Sequence, residues 1–282
     1  STSKIVNSFT DSRIIFLSKD KNSGIADSLN LGISKSKGHY FARMDDDDEC
    51  HKDRLLRQVE YLESHPDVVV CATNDQNLGG HRPYLSDLDI RIGLLFRNVI
   101  IHASVMMPMV LVKAHQYNVN TVPSEDYDLW SRLLDDGKFH KLSEPLMVIR
   151  YAVDGQTATR RSEQLKLNIE ISQIFFHYYG FVMDDKDKYF HELFVEHNYL
   201  ISGGMLIGIF NWLDKLGQVN KELNIFPEQR FLNEIEFQKL NFISKYFINR
   251  TLSNKFNPFF KLPFKYKLFL IKLYLKKYIR MD

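Results

Sequence analysis

The sequence predicts an α/β fold, a mostly parallel sheet flanked by helices with a helical C-terminal appendage. Three observations carry that expectation. Between residues 12 and 73, β-branched and aromatic runs alternate with stretches of helical periodicity, the rhythm of strands covered by helices. Four consecutive carboxylates, in "YFARMDDDDE" (40–49), directly follow one of those apolar runs. From about residue 160 the strand signals stop and helical patterns rich in Phe, Tyr, Lys and Asn take over, dividing the chain into 1–160 and 161–282.

The elements follow in order. "SRIIFLS" (12–18) reads as a strand. "NSGIADSLNLGISKSKG" (22–38) spaces Ile25, Leu29 and Ile33 as a helix does, starting at an Asn/Ser/Gly turn and stopping at Gly38. "HYFARMD" (39–45) is a buried strand ending in the aspartates, and residues 53–67 form a helix closed by Pro66. "VVVCAT" (68–73) is a strand, 74–98 is polar and loop-like, and "VIIHASVMM" (99–107) is another strand. "SEDYDLWSRLLDDGK" (124–138) is a helix with acids in its first turn, and "EPLMVIRYA" (144–152) is the last strand.

Composition narrows the function. Lys+Arg 37 against Asp+Glu 35 leaves a net charge of +2, which carries no nucleic-acid signature. Two cysteines, Cys50 and Cys71, make no disulfide framework and suit a reducing, cytoplasmic setting. The longest apolar candidate, 199–213, holds three glycines and falls short of the roughly 18 residues of a membrane span. Charge is nevertheless uneven: from Lys255 onward there are eight basic residues and one acid, Asp282.

Adjacent carboxylates repel, so they require either a cation or solvent. At the carboxyl end of a strand, where open α/β sheets bind ligands, Asp45-x-Asp47 suits a hard divalent cation shared with phosphates. In an extended segment Asp45 and Asp47 share one side and Asp46 faces away. The alternative is a solvated acidic turn capping the helix that starts near Asp53. Likewise Glu125 and Asp126 are chemically able to accept a proton, or simply complement a helix N-terminus.

The flanking residues bear on that choice. Asn22-x-Gly24, Ser36-Lys37-Gly38, the run Tyr40 to Met44 containing Arg43, and then Asp45, Asp47 and Asp48 occur in one order. That order resembles the inverting nucleotide-sugar transferases of glycosyltransferase family 2, among them bacterial hexosyl- and N-acetylhexosaminyltransferases of lipopolysaccharide, lipooligosaccharide and capsule assembly. The likeness runs from residue 1 to about 160 and implies a GT-A-like fold. It also implies a nucleotide-sugar donor held through Asn22, Gly24, Arg43 and Asp45, and Mn²⁺ or Mg²⁺ held by Asp45 and Asp47. "SEDYDLWSRLLDDGKF" resembles a second family block, which implies Asp126 as the general base and Glu125 as the residue that orients it or the acceptor. His102 in "NVIIHASVMM" matches a family stretch that lines the acceptor or donor site, and Arg150 with Gln156 and Thr157 in "IRYAVDGQTATRR" matches a segment that closes over the donor diphosphate. The family's His two residues after that Arg is Ala152 here, which leaves the cation to Asp47, phosphates and water.

The family opens with a strand–helix–strand unit that ends in paired aspartates before Ser-Thr, whereas this chain starts at Ser1-Thr2-Ser3. The resemblance therefore implies that the first βαβ unit is missing, from a fragment or a truncated gene product. The basic segment 260–282 places Lys265, Lys272, Lys276 and Arg280 on one helical side. It suits an anionic membrane surface on the inner face of the bacterial cytoplasmic membrane, beside a glycan or lipid-linked acceptor, or a core helix with solvated lysines. A non-catalytic remnant that binds membrane or a partner transferase is the alternative function.

Overall fold

The computed structural model describes residues 2–77, 84–150, 160–196, 199–248 and 262–279. Five strands form one sheet: β1 (Tyr40–Ala42), β2 (Glu49–Cys50), β3 (Val68–Asp75), β4 (Met106–Pro108) and β5 (Lys138–Val148), in the order β1-β4-β3-β5-β2. Helices α1 (Thr2–Val6), α2 (Ile25–Lys35), α3 (Arg54–Ser64), α4 (Asp87–Leu94), α5 (Met109–His115) and α6 (Glu125–Arg132) surround it. Helices α7 (Arg161–Tyr178), α8 (Asp185–Val195), α9 (Gly203–Leu223), α10 (Glu228–Ile248) and α11 (Phe264–Ile279) follow.

The α/β class with a helical C-terminal region is as expected; the sheet itself is mixed. β3 and β5 pair in parallel, with Cys71 opposite His140, whereas β1/β4, β3/β4 and β2/β5 are antiparallel. The sequence rhythm identifies strands but leaves each partner's direction open. β4 is short and follows a turn that reverses the chain, so it enters between β1 and β3 in the opposite sense.

β3 is buried along nearly all its length because apolar layers cover both of its faces. On one side Leu62 of α3 joins Val68, Cys71, Met106, Leu142 and Leu146. On the other, Val69, Val70 and Ala72 open into a larger core that includes Ile90 of α4 and Trp130 of α6. That core continues into the C-terminal helices: Phe96 meets Phe176 and Phe194 edge-on, with centroids 6.0 and 6.1 Å away, and Tyr127 stacks on Phe175 at 5.2 Å. Burial of aromatic surface is the main force holding the two parts together.

Several element expectations change. Residues 12–18 form no strand; Ile14, Ile15, Phe16 and Leu17 are exposed, and no described strand lies beside them to pair. A strand exists only through its ladder, so β propensity alone could not decide this. Residues 99–107 hold a 3₁₀ turn, His102–Ser104, and only the start of β4. The loop-like 74–98 contains α4, whose start is capped by the Ser86 hydroxyl accepting from Asp89 N, and whose Ile90, Ile92 and Leu94 are buried. Gly93 is needed there, because a Cβ would sit 2.7 Å from the Tyr84 ring. The last strand starts earlier, at Lys138, and ends at Val148. Gln156, Thr157 and Ala152 lie outside the described residues.

Candidate active site

The aspartates are presented by a buried polar frame. Past the end of β1, Arg43 N donates to Val105 O at 3.0 Å, and its side chain is 6% exposed. The α3 side chains Arg54 and Gln58, one turn apart, are both buried. Arg54 donates to Arg43 O (2.7 Å) and to Gln58 Oε1 (3.0 Å), while Gln58 Nε2 donates to Cys71 O (2.6 Å) and Ser104 O (2.9 Å). One pair of side chains thus ties α3, β3, the His102–Ser104 turn and the exit of β1 together. A buried guanidinium is tolerated because carbonyl and amide oxygens replace its water.

Arg43 then forms an ion pair with Asp45. Oxygens of Asp45, Asp47 and Asp48 all lie within 4.8 Å of one another, a group that does not include Asp46. Burial pushes the Asp45 carboxyl up, Arg43 opposes this, and Asp48 and Asp47 add to it. Three hard oxygen donors in one turn form a set that fits a divalent cation. Asp48 also accepts from Arg150 N at 3.0 Å, while the Arg150 side chain pairs with Glu49. Arg150 therefore meets the cluster through its backbone.

Helix α6 supplies the other half. Glu125, at its first position, is 5% exposed, and its Oε2 has no hydrogen-bond partner. Burial first, and then Asp126, push the Glu125 carboxyl up to about 7; Arg43 opposes and Asp45 adds. Arg43 and Asp45 thus lie within electrostatic range of Glu125, across 80 residues of chain. Asp126 accepts from Asn98 Nδ2 (2.7 Å) and from Tyr127 N (2.8 Å), and burial is the largest influence raising its proton affinity. Asp128 points elsewhere, to Arg132 at 3.0 Å.

His102 completes the group. Its Nε2 lies 2.8 Å from the Tyr117 hydroxyl, and its ring stands edge-on to Trp130 at 6.2 Å. Burial, then the nearby Arg43 charge, hold it well below the usual histidine range and therefore neutral. The fold thus gathers Arg43, Asp45, His102, Glu125 and Asp126. Asn22 and Gly24 remain at the start of α2, where Gly24 N donates to Asn22 Oδ1 at 2.9 Å and Gly24 adopts φ 90°. Among the described residues no hydrogen bond links them to the aspartates. Gln156 falls outside the described residues.

Asn98, Tyr117, Arg54 and Gln58 carry roles that motif reading passed over, and Asp48, part of the motif, joins the oxygen cluster that was expected of Asp45 and Asp47 alone. Arg54 and Gln58 did leave a signal, since with Leu62 they occupy i, i+4 and i+8 of the inward stripe of α3. Asn98 and Tyr117 left none, because their partners are distant in sequence.

Residues 1–106 match the family described as Glycosyl transferase family 2. The matched stretch holds the aspartate turn and His102 and ends before Glu125. The chain is 27% identical over 171 residues to the amylovoran biosynthesis glycosyltransferase AmsE of Erwinia amylovora, covering 57% of this chain and 63% of that protein. It is 28% identical over 149 residues to an uncharacterized glycosyltransferase of Methanocaldococcus jannaschii, covering 50% and 51%. The chain thus spans between half and two thirds of the length of these relatives. Among solved structures, the mannosyltransferase PcManGT from Pyrobaculum calidifontis, in complex with GDP-Man and Mn²⁺, is 12% identical. It superposes on 83% of this chain and 69% of that one, with a TM-score of 0.46.

Proposed function

We propose that the protein is an inverting glycosyltransferase. It moves a hexose or N-acetylhexosamine from a uridine-diphosphate sugar to a glycan or lipid-linked glycan acceptor of the cell surface. The observation that carries this reading is the convergence of two carboxylate sets on Arg43. The Asp45/Asp47/Asp48 turn lies in the matched stretch, and Glu125/Asp126 opens α6. Asp126 takes the proton of the acceptor hydroxyl, whose oxygen forms a bond to the anomeric carbon as the bond from that carbon to the diphosphate oxygen breaks. The diphosphate leaves with the electron pair on the opposite face, which inverts the centre. Burial suits Asp126 to this task by raising its proton affinity, and Asn98 fixes its orientation.

Glu125, pushed up to about 7 and so about half protonated at neutrality, orients the acceptor hydroxyl or Asp126. Asp45 and Asp47, joined by Asp48, would hold Mn²⁺ or Mg²⁺, which supplies positive charge against the diphosphate. Asn22, Gly24, Arg43, His102, Arg150 and Gln156 are assigned to the donor.

The C-terminal helix fits a peripheral position on the inner face of the cytoplasmic membrane. Tyr266 and Leu270 are buried against the core, while Phe264 (78%), Leu268 (41%) and Ile271 (47%) form an exposed apolar stripe among lysines. No helix among the described residues is long and apolar enough to cross a membrane.

The deciding experiment is turnover of a panel of uridine-diphosphate hexoses and N-acetylhexosamines, with Mn²⁺ and a membrane glycan extract as acceptor. Asp126→Asn is expected to lower kcat by about 10² to 10⁴ with donor affinity and melting temperature kept. Near wild-type turnover in that variant would remove Asp126 from the chemistry, and no turnover of any donor by the wild type would refute the reading.

A further inference from the structure

Tyr117 is held more firmly than an ordinary loop residue. Asn30, on the outward run of α2, brackets its backbone with two bonds: Asn30 Nδ2 donates to Tyr117 O, and Tyr117 N donates to Asn30 Oδ1, both at 2.8 Å. From the other side Arg132 of α6 donates to His115 O (2.6 Å) and Gln116 O (2.7 Å). Between these clamps Gln116 adopts φ 48°, a left-handed conformation that a non-glycine residue keeps only when its surroundings impose it. The outcome of all this is one placement: the Tyr117 ring, 3% exposed, with its hydroxyl 2.8 Å from His102 Nε2. The same phenol lies in the field of Asp126, Arg43 and Glu125, so it stands near the carboxylates that open α6.

The direction of the proton follows from satisfying the phenol. A buried hydroxyl keeps its hydrogen bonded, and among the described residues His102 Nε2 is the acceptor within reach. The phenol therefore donates to Nε2, and a neutral imidazole must then carry its own hydrogen on Nδ1. That Nδ1 takes no hydrogen bond among the described residues. His102 itself is half-buried, whereas His191, whose Nδ1 is orphaned, is fully buried.

We infer that Tyr117 is a positioning residue, which sets His102 in the Nδ1–H form so that the imidazole offers a fixed N–H donor to a ligand oxygen. The ligand class is a sugar hydroxyl or phosphate oxygen bound beside Glu125 and Asp126, which rests on the transferase reading above. Asn30 makes α2 the base of this device, so the helix that begins at the Asn22-Gly24 turn also braces the His102 side of the site. A neutral donor is suited there, because it directs an oxygen without drawing negative charge away from the carboxylates. Nothing in the family match assigns Tyr117 or Asn30, and the match does not reach residue 117.

The test is histidine tautomer state at neutral pH, read by two-bond ¹H–¹⁵N correlation on the whole chain labelled at histidine. His102 is assigned by its loss in His102→Gln. In the wild type Nε2 should be bare and Nδ1 protonated, and Tyr117→Phe should convert most of the population to the Nε2–H form. Asn30→Ala, which keeps the phenol but releases its backbone, should give a mixture. A wild-type His102 already in the Nε2–H form overturns the inference, whatever the variants do, and so does a Tyr117→Phe spectrum unchanged from wild type. With whichever uridine-diphosphate sugar the panel turns over, Tyr117→Phe should lower kcat roughly tenfold at constant KM. A raised KM at unchanged kcat would overturn the positioning role. Absence of turnover in the wild type would count against the transferase reading alone, since the tautomer measurement needs no activity.

Discussion

Glu125→Gln is expected to stabilise the protein at alkaline pH and to leave it nearly unchanged in mild acid. The carboxyl is 5% exposed, has an orphaned oxygen, and is held protonated up to about 7 against an ordinary glutamate value of 4.5. Below the ordinary value both folded and unfolded chains are protonated, and burial costs nothing through this group. Between 4.5 and about 7 the unfolded chain releases its proton while the folded chain keeps it, so stability falls as pH rises. Above that window the folded protein carries the whole cost. At about 1.36 kcal/mol per pH unit the cost is roughly 3 kcal/mol. Glutamine keeps the size and removes the charge, so at pH 8 the variant should melt about 5 °C higher, using a typical unfolding entropy for a chain of this length. At pH 5 the gain should shrink to about 1 °C. Differential scanning calorimetry of both proteins at the two pH values reads this directly. Equal shifts at both pH values, or a lower melting temperature at pH 8, would refute the claim that Glu125 carries an uncompensated buried charge.

Two further outcomes follow. Asp47→Ala should abolish Mn²⁺-dependent binding of uridine diphosphate in calorimetric titration, whereas Asp46→Ala, outside the oxygen cluster, should bind within about threefold of wild type; equal losses would remove the distinction. Replacing both Phe264 and Leu268 by serine should weaken co-sedimentation with anionic vesicles by about tenfold or more, since each exposed side chain contributes about 1.5 kcal/mol or more on burial, with the melting temperature unchanged. Unaltered vesicle binding would return that helix to a purely structural part.

Local pattern and residue type determined a good deal of this protein. The helices at 25–35, 54–64 and 125–132 were legible because their apolar positions recur at the helical period. The strand that starts at 68 was legible because its first five residues, Val68 to Ala72, are apolar and mostly β-branched. The choice of Asp45 and Asp47 over Asp46 came from the alternation of side chains along extended backbone, but residues 46–47 form a turn, with Asp48 N donating to Asp45 O at 3.4 Å, and the turn brings Asp48 into the cluster, which alternation did not foresee. Each of these depends on neighbours within a few residues. What depended on distant partners had to await the fold. "SRIIFLS" has a strand's composition and no strand to pair with, and β4 runs antiparallel because of where its turn delivers it. The joining of Arg43 and Asp45 to Glu125 and Asp126, with Asn98 on Asp126 and Tyr117 on His102, spans from 15 to about 80 residues of chain. Hydrogen bonds and burial across such separations exist only once the core has closed, because desolvation raises Glu125 and lowers His102 only where other elements have excluded water.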